Sequence, residues 1–444
     1  MKIVDIKVEV IFLVFALVFG SVFAVINPPF MTPDEQWHFI KAYDISQGHI
    51  ISKNSNISIP NSFNNIIKLP VWDKSIENYL RDKDYSIFNN PFNIDDTQEL
   101  KFYPANSYMP LPYLGVAFVI KIGGGLFNCS PLFLLYFGRF VNLLIYIVLV
   151  YFGIKVVPIG KYMFLLLALM PMSLYLSSSV SADSLNLALS FFTICLFLNL
   201  AFKDDKIHKK DIFFLSICIL SLALSKQLYV LLALLFFIIP KSGFKNLKTR
   251  LIYFISTILP SGLILILLSH SFNNSISNIT NSATLSSSSL FSNLVDFFYS
   301  IYDSIIVFFD GYLAEFVGYF GCMNIPLPQK LILIYICVII LVSVLSFRNK
   351  TKLILKQKLV CLLIFLGGSI LIFKVAFDWS AQEFGLIFGV HGRYFIPLAP
   401  LLFLCLGSEK ITFFNEKLFK YLNLFILLFI FLILSTSTYY LSIL

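Results

Sequence analysis

The chain has 444 residues, of which 58% are hydrophobic and 13% charged, against about 45–50% and about 25% in a soluble protein. With a mean hydropathy of +0.85, these figures exclude a soluble enzyme, a disordered chain and a fibrous repeat, and point to a polytopic membrane protein. The net charge of +9 does not indicate nucleic acid, because the basic residues gather in short stretches between apolar runs.

The first apolar run, 8–26, follows Lys2 and Lys7. A cleaved signal peptide is the rival reading. The run is full length in a chain that is apolar throughout, which favours an uncleaved span with the N-terminus inside. Residues 27–109 then form a large first outer loop, with seven Lys/Arg and ten Asp/Glu. The next apolar run, 110–122, carries Lys121 and ends at Gly123-Gly124-Gly125. It is shorter than the roughly 20 residues a span needs, so it is assigned to an interfacial or re-entrant helix. Spans follow at 132–154, 162–179 and 184–202. The run 211–240 breaks at Lys226-Gln227 into two short helices that meet near the outer leaflet. Further spans are expected at 251–269, 330–347, 358–377, 394–408 and 421–442. A second outer loop occupies 270–329, with a Ser/Asn-rich mobile stretch at 273–293.

Lys203, Lys206, Lys209 and Lys210 mark one inner loop, Lys241, Lys245, Lys248 and Arg250 a second, and Arg348, Lys350, Lys352, Lys356 and Lys358 a third. This is the positive-inside pattern. The expected fold is a single all-α integral membrane domain over 1–444 with about 11 transmembrane helices. No internal repeat is visible, which weakens a transporter built from duplicated halves. The seven cysteines form no Cys-x-x-Cys pair, so a disulfide framework or zinc site is not expected.

The ionisable residues outside the basic loops gather at the outer boundary. Thr32, Pro33 and Glu35 suit the N-cap, N1 and N3 of a helix. Asp34 and His38 then share one face, and are the pair that would hold a metal. Asp34 is also placed to act as a general base. A capping box with Asp34 answering the helix dipole is the structural alternative. Ser181 and Asp183 open a span, where helix capping alone would explain either. Lys226 sits at the tip of the short helix pair, where an ammonium needs an anion or water. The stretch Gly389 to Pro397 holds His391, Arg393 and Tyr394. An Arg fork suits a lipid phosphate, and Gly392 would admit close approach of a ligand. Arg139 and Lys374 lie near the ends of apolar runs and are expected to snorkel. The Tyr- and Pro-rich stretch 103–113 reads as an interfacial anchor. There is no Gly-rich phosphate loop, no His-Glu-x-x-His and no serine nucleophile elbow.

At Pro33-Asp34-Glu35-Gln36-Trp37-His38-Phe39 the chain resembles the first outer loop of GT-C type glycosyltransferases, among them the protein O-mannosyltransferases and the aminoarabinose lipid A transferases. It is more closely similar to a prokaryotic multi-pass membrane family of unknown function. That family joins Pro-x-Asp-Glu-x-x-His-Phe and Ala-Tyr near one end to Gly-Arg-Tyr-x-x-Pro near the other. Here these are Pro33 to Phe39, Ala42-Tyr43, and Gly392-Arg393-Tyr394 with Pro397. Ser-Ala-Asp at 181–183 and the Lys226 segment also fit, while His391 stands where the family pattern has Gln.

The GT-C resemblance implies an inverting transfer of a sugar from a polyprenyl phosphate to a glycan, lipid or protein acceptor. The reaction would occur on the outer face of the cytoplasmic membrane. Asp34 and Glu35 would be the catalytic pair, with Asp34 the base. His38, Asp183, Lys226, His391, Arg393 and Tyr394 would bind substrate. GT-C branches differ in metal dependence, so a divalent metal is left open. A polysaccharide polymerase or ligase and a lipid or polysaccharide transporter are the alternatives. Nucleic acid is not an expected partner.

Overall fold

The computed structural model describes residues 6–50, 57–63, 66, 88–89, 97–100, 108–276, 290–345, 353–407 and 416–443. Most of the first outer loop beyond Ile50 lies outside these residues. Helix α1 (Val8–Ile26) leads into α2 (Glu35–Ser46), then a small antiparallel pair, β1 (Ile57–Pro60) with β2 (Thr97–Leu100). The chain continues as α3 (Leu114–Phe127), α4 (Pro131–Val156), α5 (Lys161–Ala168), α6 (Pro171–Ser177), α7 (Ala182–Ala201) and α8 (Lys209–Ala223). A 3-10 helix over Gln227–Ile238 precedes α9 (Leu247–Ile276) and α10 (Leu290–Val317). After the short pair β3 (Tyr319–Phe320) and β4 (Ile325–Pro326) come α11 (Gln329–Leu345) and α12 (Leu355–Phe384). A second 3-10 helix (Gly392–Leu398), α13 (Ala399–Cys405) and α14 (Glu416–Ser442) complete the order.

Among the described residues six helices are long and apolar enough to cross a membrane: α1, α4, α7, α9, α12 and α14. The remaining expected spans are short or broken. The expected span 162–179 is two helices, α5 and α6. Pro171 cannot donate to the carbonyl four residues back and its ring crowds it, so the helix stops. Three carbonyls at the break are met by side chains. Tyr335 donates to Leu166 O at 2.8 Å, Ser173 to Leu167 O at 2.7 Å and Tyr146 to Ala168 O at 2.7 Å. Irregular backbone at membrane depth requires such partners. The run 211–240 does break at Lys226, but its second half is 3-10 rather than α. The expected span 394–408 is the second 3-10 helix followed by α13.

The described part of the second outer segment, 270–329, is largely helical. Helix α9 extends to Ile276 and α10 fills Leu290–Val317. Asp296, Asp303 and Asp310 recur every seven residues on one stripe of α10 and hid its apolar periodicity. The faces beside that stripe are apolar: Phe297 and Ser304 turn inward, Tyr302, Ile306 and Phe309 outward. The centre of the Ser/Asn-rich stretch, 277–289, lies outside the described residues.

Two ends of the bundle differ in charge. Ile207 N donates to Gly243 O at 2.9 Å, Gln357 Nε2 to Ile238 O at 2.7 Å, and Cys405 Sγ to Lys358 O at 3.2 Å. These bonds bring the basic connections 203–210, 238–250 and 354–358 together at one end. At the other end, Tyr175 OH lies 3.2 Å from both Met31 O and Gly321 O, either of which can accept its proton. Helix α3 folds back along the first half of α4 only: Gly115 faces Val141 and Ile145, while Gly123 faces Leu134.

Arg139 does not snorkel. It is 0% exposed on α4, and all five of its N–H donors are used. Nε and Nη2 reach the two oxygens of Glu35 at 2.8 and 2.5 Å. Nη1 reaches Ala24 O at 3.0 Å and Asn27 O at 2.6 Å, and Nη2 also reaches Pro28 O at 2.9 Å. Glu35 further accepts from Val180 N at 2.9 Å. This ties the end of α1, the start of α2 and the approach to α7 to one guanidinium. Removing one partner of a buried pair costs about 3–5 kcal/mol, and a lysine cannot reproduce the fork. Glu35→Ala and Arg139→Lys are therefore both expected to lower the melting temperature in detergent sharply. An Arg139→Lys protein that melts like the wild type would show that the clamp does not hold the fold.

Candidate functional site

The turn before α2 sets the accessible carboxylate. Thr32 does not cap the helix. Its Oγ1 accepts from Asn27 Nδ2 at 2.8 Å, and the N-cap is Asp34, in the left-handed region at φ 63° with no side-chain cap. Aspartate tolerates that conformation better than most residues. Its carbonyl accepts from Trp37 N and His38 N, both at 3.0 Å. Its carboxylate, freed from capping, is 54% exposed. Glu35, on the next residue, turns inward to Arg139. The two neighbouring acids thus separate: Asp34 enters the site and Glu35 does not.

One turn along α2, His38 is buried, with Nδ1 2.7 Å from the hydroxyl of Tyr113. Its ring meets those of Tyr108 and Tyr113 with centroids at 5.2 and 5.7 Å. Burial pulls the imidazole down to about 4, against the opposing influence of Asp34 and Asp183. His38 is therefore neutral at neutral pH.

Asp183 opens α7, where Ser181 Oγ caps the helix by accepting from Asp183 N at 3.1 Å. This leaves the Asp183 carboxylate for other groups. Its Oδ1 takes a hydrogen bond from Lys226 Nζ, and its Oδ2 lies 3.8 Å from Arg393 Nε. Lys226 stands where α8 gives way to the first 3-10 helix, with Nζ 4.8 Å from the centroid of the Tyr394 ring. That distance suits a cation–π contact. Tyr394 is held by Tyr229, whose hydroxyl donates to Tyr394 O at 2.8 Å.

Arg393 lies in the second 3-10 helix, 5% exposed, with Nη2 4.0 Å from Asp34 Oδ2. At that distance the two face each other without a hydrogen bond. Nε and Nη1 are buried and make no hydrogen bond among the described residues. Nε faces the Asp183 carboxylate, while Nη1 lies on the other side of the guanidinium; a buried donor left without a partner is costly, so Nη1 keeps capacity for an anion.

His391 stands apart from the carboxylates at the centre. Its Nδ1 lies 3.2 Å from Glu315 Oε1 on α10, while Gly392 N donates to Glu315 Oε2 at 2.6 Å. Gly392 is explained by that helix and not by a ligand. A Cβ there would sit 1.9 Å from Tyr312 O. The site thus gathers Asp34, His38, Asp183, Lys226, Arg393 and Tyr394 from four separate segments. It adds Tyr108, Tyr113, Tyr229 and Glu315, whose roles the sequence reading did not assign. Only the placing of Tyr108 and Tyr113 in an interfacial stretch hinted at two of them.

Among the described residues no three His, Cys, Asp or Glu side chains converge as metal ligands. Asp34 and His38 supply two donors, one of them across from Arg393, and His38 Nδ1 is taken by Tyr113. Among the described residues this pair is fewer donors than a divalent ion takes.

The His38 imidazole gives a pH signature. Its folded value lies below the ordinary 6.5, so the unfolded chain binds more protons between about 4 and 6.5, and stability falls as pH drops through that window. Melting temperature in detergent should decline from pH 6.5 to 4. His38→Gln should flatten that decline; an unchanged slope would show that His38 is not its source.

No curated protein and no solved structure matches the chain. A family model does match, over residues 17–402, which takes in every residue of the site from Asp34 to Tyr394. The chain belongs to the family described as predicted membrane protein (DUF2142).

Proposed function

We propose that the protein is a GT-C type glycosyltransferase of the cytoplasmic membrane, moving a sugar from a polyprenyl phosphate to an acceptor hydroxyl on the outer face. The observation that carries this reading is the opposition of an exposed carboxylate, Asp34, to a buried guanidinium with unused donors, Arg393. The basic connections gather at the far end of the bundle from the site. By the positive-inside rule that end is cytoplasmic and the site is outer.

In this mechanism the donor phosphate lies against the unused Nη1 donor of Arg393, with Lys226 adding positive charge. The acceptor oxygen attacks the anomeric carbon from the Asp34 side. A new C–O bond forms there, the acceptor proton passes to the Asp34 carboxylate, and the bond to the phosphate oxygen breaks with its electron pair on the phosphate. Attack and departure on opposite faces invert the anomeric centre. Arg393 and Lys226 oppose the negative charge that grows on the leaving group. Asp183 holds both cations in place, and the neutral His38 and the tyrosines line the site. Glu35 acts as a positioning residue through Arg139 and His391 through Glu315; neither is a catalytic group in this scheme.

The test is to incubate purified protein with a panel of polyprenyl-phosphate sugars and measure polyprenyl phosphate release. Asp34→Asn should cut the rate by about 10²–10⁴-fold and leave donor affinity within about twofold of the wild type, because the base acts in the chemical step. Arg393→Ala should weaken both donor binding and turnover, since the phosphate is anionic before and after departure. Near-normal transfer by a folded Asp34→Asn protein would remove Asp34 as the base. Donor binding by the wild type without any polyprenyl phosphate release would favour a transporter.

A further inference from the structure

A second recess lies between α2 and α3. Ser46, Gln47, Phe118, Ile120, Lys121 and Leu126 are among the residues that line a cleft of about 640 Å³. That volume falls within the roughly 300–1,000 Å³ of ligand sites. The two helices run side by side from the site to the cleft. His38 meets Tyr113 at one end, and Ser46 and Lys121, eight residues further along each, line the cleft, about 12 Å away at the helical rise.

Three features identify the occupant. The walls are mostly aliphatic and aromatic. The tip of the α3–α4 hairpin beside the cleft exposes Leu126 at 74% and Phe127 at 71%, which suits lipid and not water. Lys121 is the cation on the cleft wall, and the nearby Asp44 carboxylate is taken up by His49, 2.9 Å away. The donor phosphate is assigned to Arg393, so the molecule that reaches Asp34 along α2 is the acceptor.

The geometry points to this cleft as the seat of the acceptor's apolar chain, with the acceptor an anionic membrane lipid. The assignment of the occupant as acceptor rests on the transferase reading; its chemistry, an apolar chain with an anionic head, rests on the cleft alone.

Native mass spectrometry of the detergent-solubilised chain, titrated with phosphatidylglycerol and separately with phosphatidylcholine, tests it. The wild type should hold one phosphatidylglycerol more tightly than phosphatidylcholine. Lys121→Glu should raise the phosphatidylglycerol Kd about tenfold or more and leave phosphatidylcholine nearly unchanged. Gly125 lines the cleft and a Cβ built there meets nothing within 4 Å, so Gly125→Trp should fill the recess and weaken both. Equal affinity for the two lipids, or binding that Gly125→Trp leaves intact, overturns the proposal and leaves only bulk lipid at this surface. Photo-crosslinking of a diazirine-bearing phosphatidylglycerol to the unaltered chain is independent of how the variants fold. Label on the peptide spanning 114–127 supports the cleft; label only elsewhere overturns it. Gly125→Trp should also keep polyprenyl phosphate release with a soluble hydroxyl acceptor while losing transfer to lipid. Absence of any donor consumption by the wild type, with the lipid result intact, would instead count against the transferase reading.

Discussion

A single guanidinium determines where the site can be. Arg139 is fully buried beside the end of α1, and its charge is tolerable only because Glu35 meets it along two parallel bonds. The backbone oxygens at the end of α1 absorb the rest. A charge in such surroundings is costly when alone and acceptable when every donor is used. The direction of α2 follows from it. Once Glu35 is fixed to α4 and to the Val180 amide, Asp34 has to turn the other way, and the strained left-handed step at Asp34 accomplishes that turn. One buried acid thereby aims its exposed neighbour.

The same economy governs the broken helices. At the Ala168–Pro171 break the freed carbonyls are bound by two tyrosines and a serine from three helices. At Lys226 the chain changes from α to 3-10, and at Gly392 it enters a second 3-10 run. Irregular backbone in a membrane protein persists where protein groups or a water-lined cavity satisfy it. Two of these three irregular points, Lys226 and Arg393, deliver the cations of the site. The long regular helices frame it, and the interruptions equip it.

Much of this was legible in the sequence. The apolar runs gave the class of fold, the basic stretches gave the segments that share an end, and Asp34, Asp183, Lys226 and Arg393 were singled out from their residue types at segment boundaries. What could not be read was pairing. Nothing local distinguishes Asp34 from Glu35, and only the distant Arg139 sorts them. Arg139 itself looked like a snorkelling cation because its partner lies 104 positions away in the chain. Helix α10 was concealed by the Ser/Asn-rich stretch before it and by three aspartates at seven-residue spacing along it, and with it went Glu315, the partner of His391. The capping role given to Thr32 failed because its hydroxyl serves Asn27 in the preceding loop.

Gly392 bears on how the Gly-Arg-Tyr motif is to be interpreted. The space beside its Cα is filled by the Tyr312 carbonyl of α10, and hydrogen is the only substituent that fits. Every other amino acid is barred at this position on steric grounds alone, whatever sugar or lipid a given protein handles. Invariance of this glycine across proteins of different specificity would therefore carry information about how α10 meets the following helix and none about the ligand. The specificity of the motif resides in the residues beside it, whose side chains are free to vary without moving that seam.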